Sequence, residues 1–279
     1  MFKNIIVYVT DLRQYYLAKA LRGRCIEAAE PGQDIWKETK AVVLPTPIGK
    51  IKPHECECEK LKTNLIIYKP RVYAGSISPE WIDFFEQHQI DYRDCMHNPE
   101  VVKANAYITA EATLGVAIAN SLYTLKDEKV IVTGFGQCGR AIAMLFSDVG
   151  AKVTVLARSR EARREAKELG MNSVDFSYAP QEAYGSSVII NTVPAPVIGE
   201  KFIKEMHKDC LVIDIASKPG GCDFISLKEY GIKYIHALGL PGQYEQKASG
   251  RVLAAYISKS MRSLTNSGEE LPWIFQITL

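Results

Sequence analysis

Long hydrophobic runs are missing from this sequence, and no apolar stretch approaches the roughly 18 residues that a membrane-spanning helix needs. An excess of charge is missing as well, because 34 Lys and Arg residues nearly balance 32 Asp and Glu residues and leave a net charge of +2. Proteins that bind nucleic acids or membrane surfaces usually carry a basic stripe or tail. These two classes are therefore disfavoured, and any cationic site should be local and serve a small anionic ligand.

The features of a secretory signal peptide are also absent from the first residues. Met1–Val9 has no basic start, no long apolar core and no small-residue cleavage site, and it reads instead as a buried strand. The seven cysteines form an odd and scattered set, which is typical of reduced thiols. We therefore expect a cytoplasmic protein.

A metal site is not indicated. His54, Glu55, Cys56 and Cys58 are metal-type ligands, but no second Cys/His pair follows at the spacing of a zinc site. The charged neighbours of this segment predict an exposed loop without a metal ion.

Strand-like and helix-like segments alternate along the whole chain, which predicts parallel sheets with crossover helices. We predict two α/β domains, the second a Rossmann dinucleotide-binding domain, joined by a long helix. The C-terminal helix should return towards the first domain. The predicted boundaries are an N-terminal α/β substrate-side domain at 1–107, a connecting helix at 108–124, the Rossmann domain at 125–247, and the returning helix with a tail at 248–279.

Two segments give specific local predictions. Leu65–Tyr68 is a short apolar run and is predicted as a strand. Ile108–Tyr123 is rich in Ala and Leu without proline, and it is predicted as the connecting helix, with Thr109 as its cap and Glu111 in its first turn.

A glycine-rich turn carries the strongest functional signal. Gly134-Phe135-Gly136-Gln137-Cys138-Gly139 fits the pattern G-x-G-x-x-G, follows the apolar run Val130–Val132, and precedes a predicted helix that begins near Arg140. In this context the glycines allow a tight turn, close approach of a pyrophosphate and tight packing of the helix on the strand. The helix N-terminus then offers N–H groups to the phosphates. The sequence therefore predicts a nicotinamide dinucleotide site.

The residues after the next strand indicate which dinucleotide binds. NAD enzymes usually place an acidic residue there to hold the ribose 2′-hydroxyl, but this chain has Ala157, followed by Arg158, Ser159 and Arg160. Guanidinium groups can grip a 2′-phosphate, and the serine hydroxyl can donate to it. This favours NADP(H), and the alternative is that these arginines are only the solvated start of a helix.

The ends of the later strands should face the nicotinamide. They carry Asn191–Pro194, Asp214–Gly221 and Ala237–Gly242, and these loops are rich in Pro and Gly. Ser217 and Lys218 are the polar exceptions, and a lysine in such a cleft can anchor a carboxylate or act as an acid or base. Beyond the glycine-rich turn and the arginine segment, the predicted cofactor contacts are Asn191, Thr192, Val193, Pro194, Ala216 and Leu238.

At these loops the sequence resembles the family of dipicolinate synthase A subunits, NADP-linked proteins of spore-forming bacteria. The matching stretches are Val132–Gly136, Val155–Ser159, Asn191–Ala195, Asp214–Gly221 with Asp223-Phe224, Gly239–Gly242, Lys247, Gly250, Thr109–Glu111 and the Asp11-x-Arg13-Gln14 motif. The resemblance is dense from about residue 105 to residue 255. The chain departs from the family at Val9-Thr10 and at Thr46-Pro47, and its Lys218-Pro219 stands where alanine dehydrogenases have Asp-Gln.

The resemblance implies oxidation of dihydrodipicolinate to the aromatic pyridine-2,6-dicarboxylate, with a hydride passing to NADP⁺ and a proton to a base. A substrate with two carboxylates needs at least two cationic or N–H-rich anchors. Lys218 and Lys247 are the candidates, with Ser217 and Ser249 as hydrogen-bond donors and Arg13 as a further contributor. Glu111 and His236 are the candidate proton acceptors, although His236 also fits a hydrogen-bonded residue at a strand end.

The resemblance also implies a partner, which would be a second, flavoprotein-like subunit. Two other functions remain open on the sequence alone. One is a different NAD(P)-dependent dehydrogenase of 2-oxo or amino acids, and the other is a non-catalytic NADP-binding subunit that regulates a partner enzyme.

Overall fold

The computed structural model describes residues 4–22, 24–26, 33–51 and 56–262. Its first part alternates strands and helices. The elements are β1 (Ile5–Tyr8), α1 (Leu12–Leu21), β2 (Arg24–Ile26), α2 (Gln33–Glu38), β3 (Ala41–Val43), α3 (Cys56–Tyr68), β4 (Arg71–Ala74), α4 (Pro79–Gln87) and β5 (Tyr92–Asp94). The five strands form one parallel sheet in the order β2-β1-β3-β4-β5.

The second part continues the alternation around a second sheet. Its elements are α5 (Pro99–Asn120), β6 (Lys129–Thr133), α6 (Gln137–Asp148), β7 (Lys152–Leu156), α7 (Arg160–Glu168), β8 (Asn172–Val174), α8 (Ala179–Ala183), β9 (Val188–Asn191), α9 (Glu200–Ile203), β10 (Leu211–Asp214), α10 (Phe224–Glu229), β11 (Lys233–His236), α11 (Leu240–Gln243) and α12 (Gln246–Arg262). The strand order is β11-β10-β9-β6-β7-β8, and every pair is parallel.

The second sheet is covered by apolar side chains on both faces. Val130 and Val132 of β6 belong to one cluster with residues of α5 and α6, whereas Ile131 between them belongs to another cluster with residues of α9 and α10. Successive strand side chains point to opposite faces, and a parallel sheet buried on both sides is apolar throughout. Continuous runs such as Val-Ile-Ile in β9 follow from this.

The chain divides into two units, which are described separately. The first comprises Met1–Thr10, Gln14–Met96 and Gly250–Leu279, and the second comprises Asp11–Arg13 and His97–Ser249. Within the first unit, the hydroxyl groups of Tyr73 and Ser260 lie 3.0 Å apart, and the rings of Tyr73 and Tyr256 meet edge to face. These contacts attach α12 to the first sheet. The prediction of two α/β domains, with a C-terminal helix that returns to the first, is confirmed.

The predicted strand at Leu65–Tyr68 is wrong, because these residues form the end of helix α3. Cys58, Leu61 and Leu65 are buried, whereas Ile66 and Ile67 are 37% and 62% exposed. Buried positions three and four residues apart are the pattern of a helix, and the short apolar run alone could not reveal it.

The predicted start of the connecting helix is also wrong. Helix α5 begins at Pro99, and the side chain of Asn98 accepts hydrogen bonds from the backbone N–H groups of Glu100 and Val101. Asparagine before a proline is a favourable helix start. Thr109 is not a cap but a buried residue inside the helix, where its hydroxyl donates to the carbonyl of Asn105 at 2.7 Å.

No helix in the described ranges is both long enough and apolar enough to cross a membrane. The described residues contain no group of three or more metal-type ligands. The exposed loop predicted for residues 54–58 is wrong at its end, because helix α3 begins at Cys56 and Cys58 is buried. His54 and Glu55 lie outside the described ranges, so the absence of a metal site stays a prediction.

Candidate functional site

The glycine-rich turn between β6 and α6 has the geometry of a dinucleotide-binding loop. Gly134 has φ +83°, a left-handed conformation that favours glycine, and a Cβ there would lie 2.8 Å from the Thr192 hydroxyl. A Cβ on Gly139 would lie 2.4 Å from the carbonyl oxygen of Gly134. The first and third glycines of the motif are therefore required by the fold itself, because a side chain at either position would break the turn or push α6 away from β6.

The second glycine of the motif differs from the other two. A Cβ on Gly136 would meet nothing within 4 Å, and no side chain caps the N-terminus of α6 at this residue. The first N–H groups of a helix have no partner within the helix, and together with the helix dipole they favour an anion. Open space over uncapped N–H groups fits the pyrophosphate of a dinucleotide.

The segment after β7 presents two arginine side chains to solvent. Ala157 is buried, and Arg158, Ser159 and Arg160 are exposed. Among the described residues, the guanidinium groups of Arg158 and Arg160 have no hydrogen bond or ion pair. The Ser159 hydroxyl caps α7 by accepting from the Ala162 N–H at 3.3 Å. Among the described residues this hydroxyl has no acceptor, so the exposed segment offers two cations and a hydrogen-bond donor to an anion.

A third arginine, which sequence reasoning missed, holds this segment in place. Nη1 of Arg163 donates to the carbonyl oxygens of Ala157 and Arg158, at 2.5 and 2.7 Å, and forms an ion pair with Asp175 at 2.7 Å. Arg163 thereby fixes the backbone that carries Arg158. Its position four residues after the N-cap gives no signal of this role in the sequence.

Beneath the ends of β6, β9 and β10 lies a buried polar network. Thr133 donates to the side-chain oxygen of Asn191 at 2.6 Å, and the Asn191 amide donates to Asp214 at 2.8 Å. All three residues are 0% exposed. Each is the last residue of its strand, so a polar residue that ends an apolar strand was the available sequence signal.

The network also shapes the loop after β10. Asp214 accepts hydrogen bonds from the backbone N–H groups of Ala216 at 3.0 Å and Gly221 at 2.9 Å. These two bonds fold the loop back on itself and expose Ser217 and Lys218 at its tip. In the portion of the chain that is described, the Lys218 ammonium has no ion pair. Both side chains are therefore accessible to a ligand, and their binding roles stay predictions.

The remaining predicted cofactor contacts stand in different environments. Asn191 uses its side chain inside the buried network, and the Thr192 hydroxyl donates to the carbonyl oxygen of Thr133 at 2.7 Å. Val193 and Leu238 are half-buried, Ala216 is buried and Pro194 is exposed. Their contacts with a cofactor stay predictions.

The candidate proton acceptors and the second lysine anchor are exposed side chains. His236 ends β11, and its ring lies beside that of Phe224 with centroids 4.9 Å apart. Glu111 lies on α5, and Lys247 lies in the first turn of α12. Ser249 is buried, with its side chain away from solvent. The catalytic roles of these residues stay predictions.

Cys138 and Arg140 belong to the first turn of α6. Burial raises the pKa of the Cys138 thiol, and a hydrogen bond with Thr109 only partly opposes this effect. A raised pKa makes the thiol a packing group rather than a nucleophile. Arg140 is half-exposed and forms an ion pair with Glu165 at 2.8 Å, and Gln137 is exposed. The contacts of Gln137, Cys138 and Arg140 with a cofactor stay predictions.

The second unit is also similar in sequence to a known family. Residues 97–218 match the family described as the D-isomer specific 2-hydroxyacid dehydrogenase, NAD binding domain. This part of the chain is therefore similar to the nicotinamide dinucleotide-binding domains of dehydrogenases, and its Rossmann-like fold supports an oxidoreductase that uses such a cofactor.

More specific similarities point to one kind of protein. The dipicolinate synthase A subunit of Bacillus subtilis (strain 168) is 33% identical over 160 residues, which make up 57% of this chain and 54% of that protein. The chain thus aligns with about half the length of this curated relative. The resemblance to dipicolinate synthase that the loops predict is confirmed.

Solved structures extend the similarity to nearly the whole chain. The crystal structure of the dipicolinate synthase A subunit from Bacillus halodurans has a TM-score of 0.77 and 26% identity, and the alignment covers 93% of this chain and 97% of that one. The A chain of dipicolinate synthase from Bacillus subtilis has a TM-score of 0.81 and 22% identity, with 95% and 97% covered. At 22% identity, the comparison with the Bacillus subtilis structure shows a similar fold and nothing more.

Proposed function

We propose that this chain is an NADP-linked oxidoreductase subunit that converts dihydrodipicolinate to pyridine-2,6-dicarboxylate. The observation that carries the proposal is the 33% identity with a dipicolinate synthase over 160 residues. A hydride and a proton leave the dihydropyridine ring, and the ring becomes aromatic. The dinucleotide, when bound, supplies the hydride acceptor.

The segment after β7 supports the proposed preference for NADP. Arg158 and Arg160 are exposed, lack partners among the described residues, and follow a buried alanine where NAD enzymes place a carboxylate. A guanidinium pairs strongly with a phosphate through two parallel hydrogen bonds. Arg163 donates hydrogen bonds to the carbonyl oxygens of Ala157 and Arg158, and these bonds fix the backbone from which the Arg158 side chain extends.

The protein's own part in the reaction is to bind and orient the substrate. Lys218 stands at the tip of a loop that Asp214 folds back, and its ammonium group can pair with one carboxylate of the substrate. Ser217 can donate a hydrogen bond to the same group. His236 ends the neighbouring strand and is the candidate to accept the proton, with Glu111 as the alternative. Positioning carries most of the catalysis, since aromatisation supplies a large driving force.

The relatives are named as one lettered component of a synthase, and such a name implies a partner. We propose that the chain works with a second, flavoprotein-like subunit in the cytoplasm during spore formation. A comparison of the isolated chain with the mixture of both proteins shows whether the partner is needed for turnover.

The test supplies dihydrodipicolinate enzymatically with NADP⁺ and measures pyridine-2,6-dicarboxylate, with and without the candidate second subunit. We expect product with the wild-type chain and a loss of at least about tenfold with Lys218→Ala, because a charge-assisted pair contributes about 1.5–3 kcal/mol. Lys152→Ala is the matched control, since Lys152 is exposed at the opposite end of the sheet. NADPH binding without product in either mixture would contradict the proposal and favour a regulatory role for this chain.

A further inference from the structure

Arg13 is a buried cation whose hydrogen-bond donors are largely unused. It lies in the first turn of α1, and its side chain is only 8% exposed. Nε is buried and has no hydrogen-bond partner among the described residues. The ion pair with Asp11 joins Nη2 and Oδ2 at 4.0 Å, which is longer than a hydrogen bond. A guanidinium carries five N–H donors, so the described residues leave this one largely unsatisfied.

Such an arrangement is costly for the free protein. A charge that is taken out of water is destabilising unless it is paired and hydrogen-bonded. Burial lowers the pKa of Arg13, and the Asp11 carboxylate only partly opposes this effect. A residue that contributed only to the fold would be expected to have a closer partner. The unused donors indicate that the partner is a ligand.

The neighbourhood of Arg13 lies at the functional end of the second sheet. Asp11–Arg13 belongs to the same unit as α11. A Cβ on Gly242 of α11 would lie 4.0 Å from Cζ of Arg13 and 3.8 Å from Oδ2 of Asp11. Helix α11 follows β11, and thus stands at the carboxyl end of the strands, where ligands of parallel sheets bind.

We propose that Arg13 is a binding residue that takes a carboxylate of the substrate. A guanidinium and a carboxylate match in geometry and form two parallel hydrogen bonds, which would use the donors that are free. The identity of the carboxylate as that of a pyridine dicarboxylate rests on the proposed function, whereas the carboxylate site itself does not. Arg13 and Lys218 would then supply the two cations that a dicarboxylate needs.

The test compares the wild-type chain with Arg13→Met by thermal unfolding and by calorimetric titration with pyridine-2,6-dicarboxylate, pyridine-2-carboxylate and pyruvate, each in the presence of NADPH. We expect Arg13→Met to unfold at the same or a higher temperature without ligand, because a buried charge with few hydrogen bonds is removed. Its affinity for the carboxylate should fall at least about tenfold, with NADPH binding unchanged. Arg164→Met is the matched control, since the Arg164 side chain is 74% exposed and pairs with Glu168 on the same helix.

The outcomes separate the two proposals. One outcome is that the wild-type chain binds pyruvate but neither pyridine carboxylate. If Arg13→Met then loses pyruvate binding, the result supports the anchor and contradicts the proposed substrate. No binding of any carboxylate by the wild-type chain would overturn the anchor, as would a lower unfolding temperature of Arg13→Met with full carboxylate affinity. If Arg13→Met does not fold, the test uses Arg13→Lys instead. Lysine keeps the positive charge but lacks the planar guanidinium that forms two parallel hydrogen bonds, so weaker carboxylate binding is again expected. Unchanged binding by Arg13→Lys would also overturn the anchor.

Discussion

Replacing Asp214 by asparagine should destabilise the second unit by about 2 kcal/mol. The carboxylate is 0% exposed and accepts hydrogen bonds from the Asn191 amide, the Ala216 N–H and the Gly221 N–H. An asparagine has one oxygen, so at least one of these donors would face an N–H₂ group. A buried donor without an acceptor costs about 1–3 kcal/mol, and the remaining bonds weaken when the charge is lost. The removal of a buried charge offsets part of this cost.

The measurement is urea unfolding of the variant, combined with hydrogen exchange of the loop. The amides of Ala216 and Gly221 should lose protection, while amides in β7 keep it. Asp223→Asn is the matched control, because Asp223 is an exposed helix cap that accepts from the Ser226 N–H, and asparagine caps a helix as well as aspartate does. If Asp214→Asn is as stable as Asp223→Asn and the two amides stay protected, the role assigned to the network is refuted.

Four further substitutions test the cofactor site and the buried core. Arg158→Ala should weaken NADPH binding about tenfold or more in a fluorescence titration and leave NADH binding unchanged, whereas Arg164→Ala should alter neither. Gly136→Ala should impair NADPH binding without lowering the unfolding temperature, because its Cβ meets nothing, and Gly134→Ala should lower that temperature because φ is +83°. Burial raises the pKa of Cys210 to about 12 from 9.0. The stability that the protonated thiol contributes is therefore complete below pH 9.0 and is lost as the pH rises towards 12. Urea unfolding at a series of pH values should show that the free energy of unfolding falls less steeply above pH 9.0 for Cys210→Ala than for the wild-type chain.

The second unit was predictable because its signals are local. The glycine fingerprint needs only its own turn, the preceding strand and the following helix, and Arg158 stands next to its strand in the sequence. The start of α5 was predictable too, since Asn98 and Pro99 form a good helix start, but the composition of the later segment drew the prediction to Thr109.

Interactions between distant segments could not be predicted in the same way. Thr133, Asn191 and Asp214 meet only because β6, β9 and β10 are neighbours in the sheet. The burial of Arg13 likewise depends on the three-dimensional fold, because an arginine after an aspartate at a helix start looks like an ordinary solvated residue. Periodicity reports which face of an element is apolar, and it does not report which polar groups are left without partners.

The most direct test of the central claim is the fate of the transferred hydride. Dihydrodipicolinate that carries deuterium at the ring carbon that loses the hydride is mixed with NADP⁺ and this chain, with and without the second subunit. We expect pyridine-2,6-dicarboxylate and NADPH to form in equal amounts and the deuterium to appear in the NADPH. Product that forms without NADPH, or NADPH that carries no deuterium, would contradict it.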